Sequence, residues 1–194
     1  MAPDDKSTSL TLLERARDRD EEAWARLMRL YAPLVERWCA HCGVCGQDAD
    51  DVRQDVFHAV AVGLDGFRRE RSGDTFRGWL RVITRNKLID HSRRRARQPE
   101  ARGGTDAQRQ IAQLAEQDLP EDSADDLGGL YRRALELVRA EFEPRTWEAF
   151  WRAAIDGQAP DLIAADLGVT PAAVRKAKSR VLHRLRQEVG DLID

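Results

Sequence analysis

Apolar residues return along this chain every three or four positions, the spacing that stacks side chains on one face of an α-helix, rather than in the alternation of a half-buried strand. Trp24, Leu27, Met28, Tyr31, Leu34, Val35 and Trp38 draw the first such stripe. Pro33 lies inside it and predicts a kink or a break, because proline removes an amide donor and its ring crowds the preceding turn. Cys42-Gly-Val-Cys-Gly46 predicts a turn. Asp48 or Asp50 is then placed to cap a second helix with Val52, Val56, Phe57, Val60 and Leu64 facing inward. Residues 65–75 predict a charged, glycine-bearing loop. A third helix follows from about Phe76, with Trp79, Leu80, Ile83 and Leu88 inward; Arg77, Arg81, Arg85, Lys87 and Arg93-Arg-Arg95 form its polar face, and Pro99 ends it. Residues 100–127 combine Gly103-Gly104, Pro120 and an acidic run, the marks of a linker, with room for a short helix over Gln108 to Gln117. A second helical unit starts near Leu127. The expected fold is therefore all-α: two small helical domains, 1–98 and 128–194, joined by an acidic flexible linker over 99–127.

Composition supports helices, since Ala, Leu, Arg, Glu and Asp dominate and aromatics are only 6%. No apolar run approaches the roughly 20 residues of a membrane span, and no basic segment followed by an apolar core opens the chain. These features predict a cytoplasmic protein without a membrane partner. The net charge of -2 conceals a strong pattern: residues 1–67 are net -5, residues 68–102 net +8, residues 103–127 net -6 and residues 170–187 net +6. Two compact basic blocks in a near-neutral chain point to local binding of a polyanion. The plain alternative is two solvated helix faces.

The most specific local pattern lies over residues 160–179. A helix-turn-helix needs a small residue where its helices touch, a turn glycine that accepts positive φ, and apolar residues that lock the second helix onto the first. Ala164, Gly168 and the set Ile163, Leu167, Val169, Val174 and Ala177 meet those needs. Thr170 is placed as N-cap and Pro171 at the first helical position, where its missing N–H costs nothing. The second helix then presents Arg175, Lys176, Lys178, Ser179, Arg180 and Arg184, with no acid until Glu188. Base edges near the helix start and phosphates further along suit that distribution; an ordinary helical hairpin is the alternative. The other basic block joins loop arginines to a helix carrying Trp79, Thr84 and Asn86. Cations, an aromatic ring and hydrogen-bonding groups together can hold unstacked bases beside a backbone, although the spacing of Trp79 also suits a core position.

Asp48-Ala-Asp-Asp-Val-Arg-Gln-Asp-Val-Phe57, Phe76-Arg-Gly-Trp-Leu-Arg-Val-Ile-Thr-Arg-Asn-Lys-Leu-Ile-Asp90 and Arg93-Arg-Arg95 resemble region 2 of an extracytoplasmic-function (ECF) sigma factor. Arg145-Thr-Trp-Glu-Ala-Phe150, the helix-turn-helix and Ala177-Lys-Ser-Arg-Val-Leu-His-Arg-Leu-Arg186 resemble its region 4. The resemblance implies a protein without chemistry of its own that binds core RNA polymerase and directs it to promoter DNA. It implies that Asp51, Gln54 and Asp55 face the clamp helices of the polymerase. Arg68, Arg69, Arg71, Arg77, Trp79, Arg81, Arg85, Asn86, Asp90, Arg93 and Arg94 would open the -10 element and hold a flipped non-template base. Thr170, Ala172, Arg175, Lys176, Ser179, Arg180 and Arg184 would serve the -35 element. The resemblance also leaves room for an inhibitory partner such as an anti-sigma factor, which no residue of the sequence names. The arginine-rich loop over 65–76 keeps the promoter sequence from being borrowed from relatives.

Cys39-Ala-His41-Cys42-Gly-Val-Cys45 departs from that pattern. Four potential ligands suggest zinc and Cys42-x-x-Cys45 suggests redox chemistry, but a structural zinc site usually draws ligand pairs from two separated segments. Small buried thiols are the simpler expectation, so neither metal nor cofactor is expected. Asp90-His91 reverses the order of a metal-phosphohydrolase pair and no glycine-rich phosphate loop is present, which argues against an enzyme. Two other readings stay open: a free-standing helix-turn-helix regulator, which would normally dimerise to read paired half-sites, and a thiol- or metal-dependent enzyme or sensor built on residues 39–45.

Overall fold

Three of the helices near the C-terminus begin with proline, and each begins where proline is harmless. Pro144, Pro160 and Pro171 take first-turn positions, whose amides have no partner within the helix in any case. The computed structural model describes residues 11–68, 75–96, 119–120 and 123–189, and every regular element among them is helical. In chain order these are α1 (Leu12–Arg17), α2 (Glu21–His41), α3 (Gln47–Gly63), one 3-10 turn (Leu64–Gly66), α4 (Phe76–Ala96), α5 (Ala124–Arg139), α6 (Pro144–Ala154), α7 (Pro160–Leu167) and α8 (Pro171–Val189). By packing they fall into two units. One contains residues 27–127; the other contains the described residues up to Arg26 together with those from Gly128 onward.

In the unit of residues 27–127, α2 buries Leu27, Leu30, Tyr31, Leu34, Val35 and Trp38, whereas Met28, placed on the expected stripe, is 44% exposed. Pro33 breaks nothing: α2 runs through it to His41. Its own side chain points to solvent, while its neighbours Leu34 and Val35 are buried and hold the helix in place against the lost hydrogen bond. On α3 the expected Val52, Val56, Phe57 and Val60 are all buried. Its N-cap is Gly46 at φ 62°, not Asp48 or Asp50. A left-handed residue is needed where the chain leaves the Cys42–Cys45 turn, and glycine takes that conformation without strain; both aspartates lie in the first turn, where the helix dipole favours them. On α4 the buried row is Phe76, Leu80, Thr84 and Leu88. Thr84 replaces the expected Ile83, because its hydroxyl donates to the Leu80 carbonyl at 2.8 Å and so enters the core satisfied. Its hydroxyl is thereby turned into the core rather than toward solvent.

In the other unit, α6, α7 and α8 pack on one another and α1 packs on α8. One apolar cluster joins Ala149, Ile163, Ala164, Val174 and Ala177; a second joins Val138, Trp147, Phe150 and Val181. α1 is closed by a capping box between Thr11 and Glu14 and buries Leu12, Leu13 and Ala16. α5 begins at Ala124, three residues before the expected Leu127, since Ser123 and Asp126 exchange hydrogen bonds across its first turn. Asp126, one of the acids expected in the linker, also pairs with Arg37 of α2. The expected helix over Gln108 to Gln117 lies outside the described residues.

Candidate nucleic-acid interface

The helix-turn-helix is built from α7, the turn at Gly168 and α8. Gly168 closes α7 in the left-handed conformation (φ 63°, ψ 39°), and the Val169 amide donates back to the Ala164 carbonyl at 3.0 Å. Thr170 Oγ1 accepts from the Ala173 amide at 3.2 Å, which starts α8. Ile163 and Ala164 meet Val174 and Ala177 in the buried cluster, with Leu167 and Val169 half-covered beside it. That lock turns Ala172, Arg175, Lys176 and Ser179 outward, and all four are exposed, as is Thr170. Arg180 is also exposed but lies 5.9 Å from the ring centroid of Phe142. Lys178 donates to the Ala153 carbonyl at 3.3 Å, which steadies α8 against α6. Arg152 of α6 braces the turn from the other side, reaching Gln158 at 2.8 Å and Asp166 at 2.6 Å.

Arg184 stands apart from the other cations of α8. Its guanidinium grips both oxygens of Glu141, at 2.7 and 2.9 Å, and meets Glu188 at 2.7 Å. Arg26 closes the set from the far side, 2.5 Å from Glu141 and 3.2 Å from Glu188. Two arginines and two carboxylates thus alternate within the unit that contains α1 and α8. Burial pushes the Glu141 carboxyl up, but the hydrogen bonds and charges of Arg184 and Arg26 outweigh it and hold the group below the usual carboxylate range. Arg184 would have to leave both acids to meet a phosphate.

In the unit of residues 27–127, Phe67, Phe76 and Trp79 form an aromatic wall. Phe67 and Trp79 stack at 5.0 Å, and Phe76 meets both rings as well as Tyr31. Trp79 is half-buried, and with Phe67, Arg68, Thr75, Gly78 and Val82 it lines a cavity of about 400 Å³. Gly63 seats it: a Cβ there would come within 3.0 Å of the indole. From this cavity an outward row runs along α4 through Gly78, Val82, Asn86 and Asp90 to Arg93 and Arg94, all exposed. Arg77, Arg81 and Arg85 are half-buried on its flanks. Arg68 donates to the carbonyls of Asp65 and Phe67 and so closes the 3-10 turn. Arg69 and Arg71 lie outside the described residues. On α3, Asp51 and Gln54 are exposed, whereas Asp55 is half-buried and paired with Arg94. The sequence reading missed Phe67, Gly63 and Val82; the short Leu64–Phe67 segment is too brief to show a period, and a glycine's role as a seat depends on a ring sixteen residues away.

Among the described residues no group of three or more His, Cys, Asp or Glu side chains is arranged to hold an ion. Cys39 is buried, and desolvation pushes its thiol up to about 12, leaving it protonated and unreactive. Burial also raises Cys42, while Cys45 is exposed. Among the described residues no helix is long and apolar enough to cross a membrane.

Residues 27–98 match the family model for sigma-70 region 2. The chain is 30% identical over 194 residues to the ECF RNA polymerase sigma factor SigE of Mycolicibacterium smegmatis, covering 98% of this chain and 70% of that protein. It is 29% identical to the ECF RNA polymerase sigma factor RpoE of Cereibacter sphaeroides, covering 96% and 97%. The RNA polymerase sigma factor CarQ of Myxococcus xanthus is 28% identical, covering 93% and 97%. With an all-helical fold, a region 2 match that begins where the packing of the first unit begins, and alignments that run through the helix-turn-helix, the chain belongs to the family of ECF RNA polymerase sigma factors.

Proposed function

We propose that this sigma factor reads two promoter elements with two separate surfaces while bound to core RNA polymerase. Its family works in promoter-specific transcription initiation with RNA polymerase; the division of labour between its residues is the proposal. Residues 1–98 act as region 2, residues 99–127 as the linker and residues 128–194 as region 4. Asp51, Gln54 and Asp55 on α3 face the polymerase. The loop arginines Arg68, Arg69 and Arg71, with Arg77, Trp79, Arg81, Arg85, Asn86, Asp90, Arg93 and Arg94, take the opened -10 strand. The aromatic-walled cavity beside Arg68 suits an unstacked base, because a ring offers its face to any base while cations hold the backbone. Thr170, Ala172, Arg175, Lys176, Ser179 and Arg180 meet the -35 element, with Arg184 as a phosphate contact once it leaves its carboxylates.

The observation that carries the reading is the start of α8. Its apolar side is locked against α7, its first turn is capped by Thr170, and Ala172, Arg175, Lys176 and Ser179 all face outward. A helix entering a major groove presents this end to the bases. Replacing Arg175 by alanine is expected to cost about 1–3 kcal/mol on the preferred -35 sequence and little on a scrambled one. Competition binding of the polymerase complex to the two duplexes measures the difference. An equal loss on both would make Arg175 a phosphate contact and move base reading elsewhere on the helix.

A further inference from the structure

The basic run that closes α4 is already occupied. Arg94 Nη2 lies 2.6 Å from Asp55 Oδ2, and Arg95 Nη1 lies 2.6 Å from Asp48 Oδ2. The other oxygen of Asp48 faces His91 Nε2 at 3.6 Å. Two arginines at the end of one helix thus reach back to two carboxylates spaced seven residues apart, which places both acids on one face of α3. The pairs are open to solvent: the arginine side chains are 58% and 67% exposed and the carboxylates 40% and 42%. A carboxylate and a phosphate present a guanidinium with the same kind of charged oxygen acceptor, so nucleic acid can compete for these arginines without rearrangement of the fold.

We propose that Asp48 and Asp55 are internal stand-ins for DNA phosphates, holding Arg95 and Arg94 so that nucleic acid must displace a carboxylate before it gains a contact. This inference rests on the reading that the end of α4 meets DNA. Its consequence is selectivity. A duplex without a promoter offers these arginines only phosphates, and each such contact must first break a pair and then place a phosphate beside the vacated acid. A promoter held by polymerase has base contacts to offset that cost. Asp48, which the sequence reading assigned to no partner, becomes a residue that sets specificity, and Asp55 serves both the outer face of α3 and the arginine behind it.

The test uses the full-length chain and a short duplex lacking any promoter, with affinity measured against salt. Asp48→Asn should raise affinity up to about fivefold, the effect of freeing one exposed ion pair. It should also steepen the slope of log affinity against log salt by about 0.9, the contribution of one added phosphate contact. In an Arg95→Ala background the same substitution should change neither quantity. Asp55→Asn with Arg94→Ala forms a second, independent cycle, which protects the test if Asp48→Asn loosens the first turn of α3. Unchanged slopes in both cycles would overturn the inference. So would a rise of equal size in the Arg95→Ala background, since that would reflect charge alone. The proposed function fails on different grounds, namely if the wild-type chain supports no transcription with polymerase.

Discussion

Phe76→Ala is expected to destabilise the unit of residues 27–127 by about 3–5 kcal/mol, the range for truncating a buried aromatic residue. Phe76 is fully buried at the first position of α4, with ring centroids 5.0 Å from Tyr31, 5.9 Å from Phe67 and 5.8 Å from Trp79. Truncation opens a void and also removes three ring contacts, of which edge-to-face pairs contribute about 0.5–1.5 kcal/mol each beyond their burial. Against a total stability of about 5–15 kcal/mol for a domain, that is a large fraction. The functional loss should be uneven. Phe67 and Trp79 line the cavity proposed for the opened -10 strand and lose the ring that orders them, whereas the Ile163–Val174 contact behind the proposed -35 reader is made of other residues. Thermal melting should show a lowered transition. Strand opening, followed by a fluorescent base analogue in the -10 element, should fall well below duplex binding at the -35 element. Equal losses of both would mean that the aromatic wall has no special part in holding opened DNA.

Arg26→Ala should cost up to about 3–5 kcal/mol, the range for removing one partner of a buried pair, because it leaves two carboxylates to share one guanidinium. The Arg26 side chain is only 12% exposed, and the Glu188 side chain facing it is 0% exposed. Arg184 alone would then face both Glu141 and Glu188. Burial would lower the pKa of Arg26, yet Glu188 and Glu141 outweigh it and hold the guanidinium above its ordinary range, so it stays charged. The pH dependence has a definite sign. Glu141 is held below its ordinary value in the folded chain, so its contribution is fully present above that value and is lost as pH falls through the depressed one. Wild-type melting temperature should therefore drop in the acid range below the usual carboxylate values. The Arg26→Ala protein should begin lower and lose less over the same range. Parallel curves would show that the network does not govern acid stability.

What the sequence disclosed and what it concealed divide along the distance between partners. The helix-turn-helix could be read residue by residue because Ala164, Gly168, Thr170 and Val174 lie within eleven positions and their roles follow from backbone geometry. The faces of α3 were equally clear, since Val52, Val56, Phe57 and Val60 repeat without interruption. On α4 polarity misled: a threonine that bonds to the turn behind it can enter a core, so Thr84 and not Ile83 completes the buried row. At Pro33 the helix does not break, because flanking burial outweighs one lost hydrogen bond. The pairings of Arg26 with Glu188 and of Arg95 with Asp48 had no local signal at all. Helical periodicity states which face is polar, but not which charge on a distant helix will meet it.

Run-off transcription with purified core polymerase, on a library of genomic fragments, tests the central claim most directly. Added to core polymerase, the chain should produce transcripts from a subset of fragments that share two sequence elements at a fixed spacing. Replacement of Arg175 should impair use of the upstream element, and replacement of Asn86 or Trp79 use of the downstream one. Absence of any transcript that depends on the chain, together with tight sequence-specific duplex binding by the chain alone as a dimer, would contradict the account and assign the helix-turn-helix to a free-standing regulator.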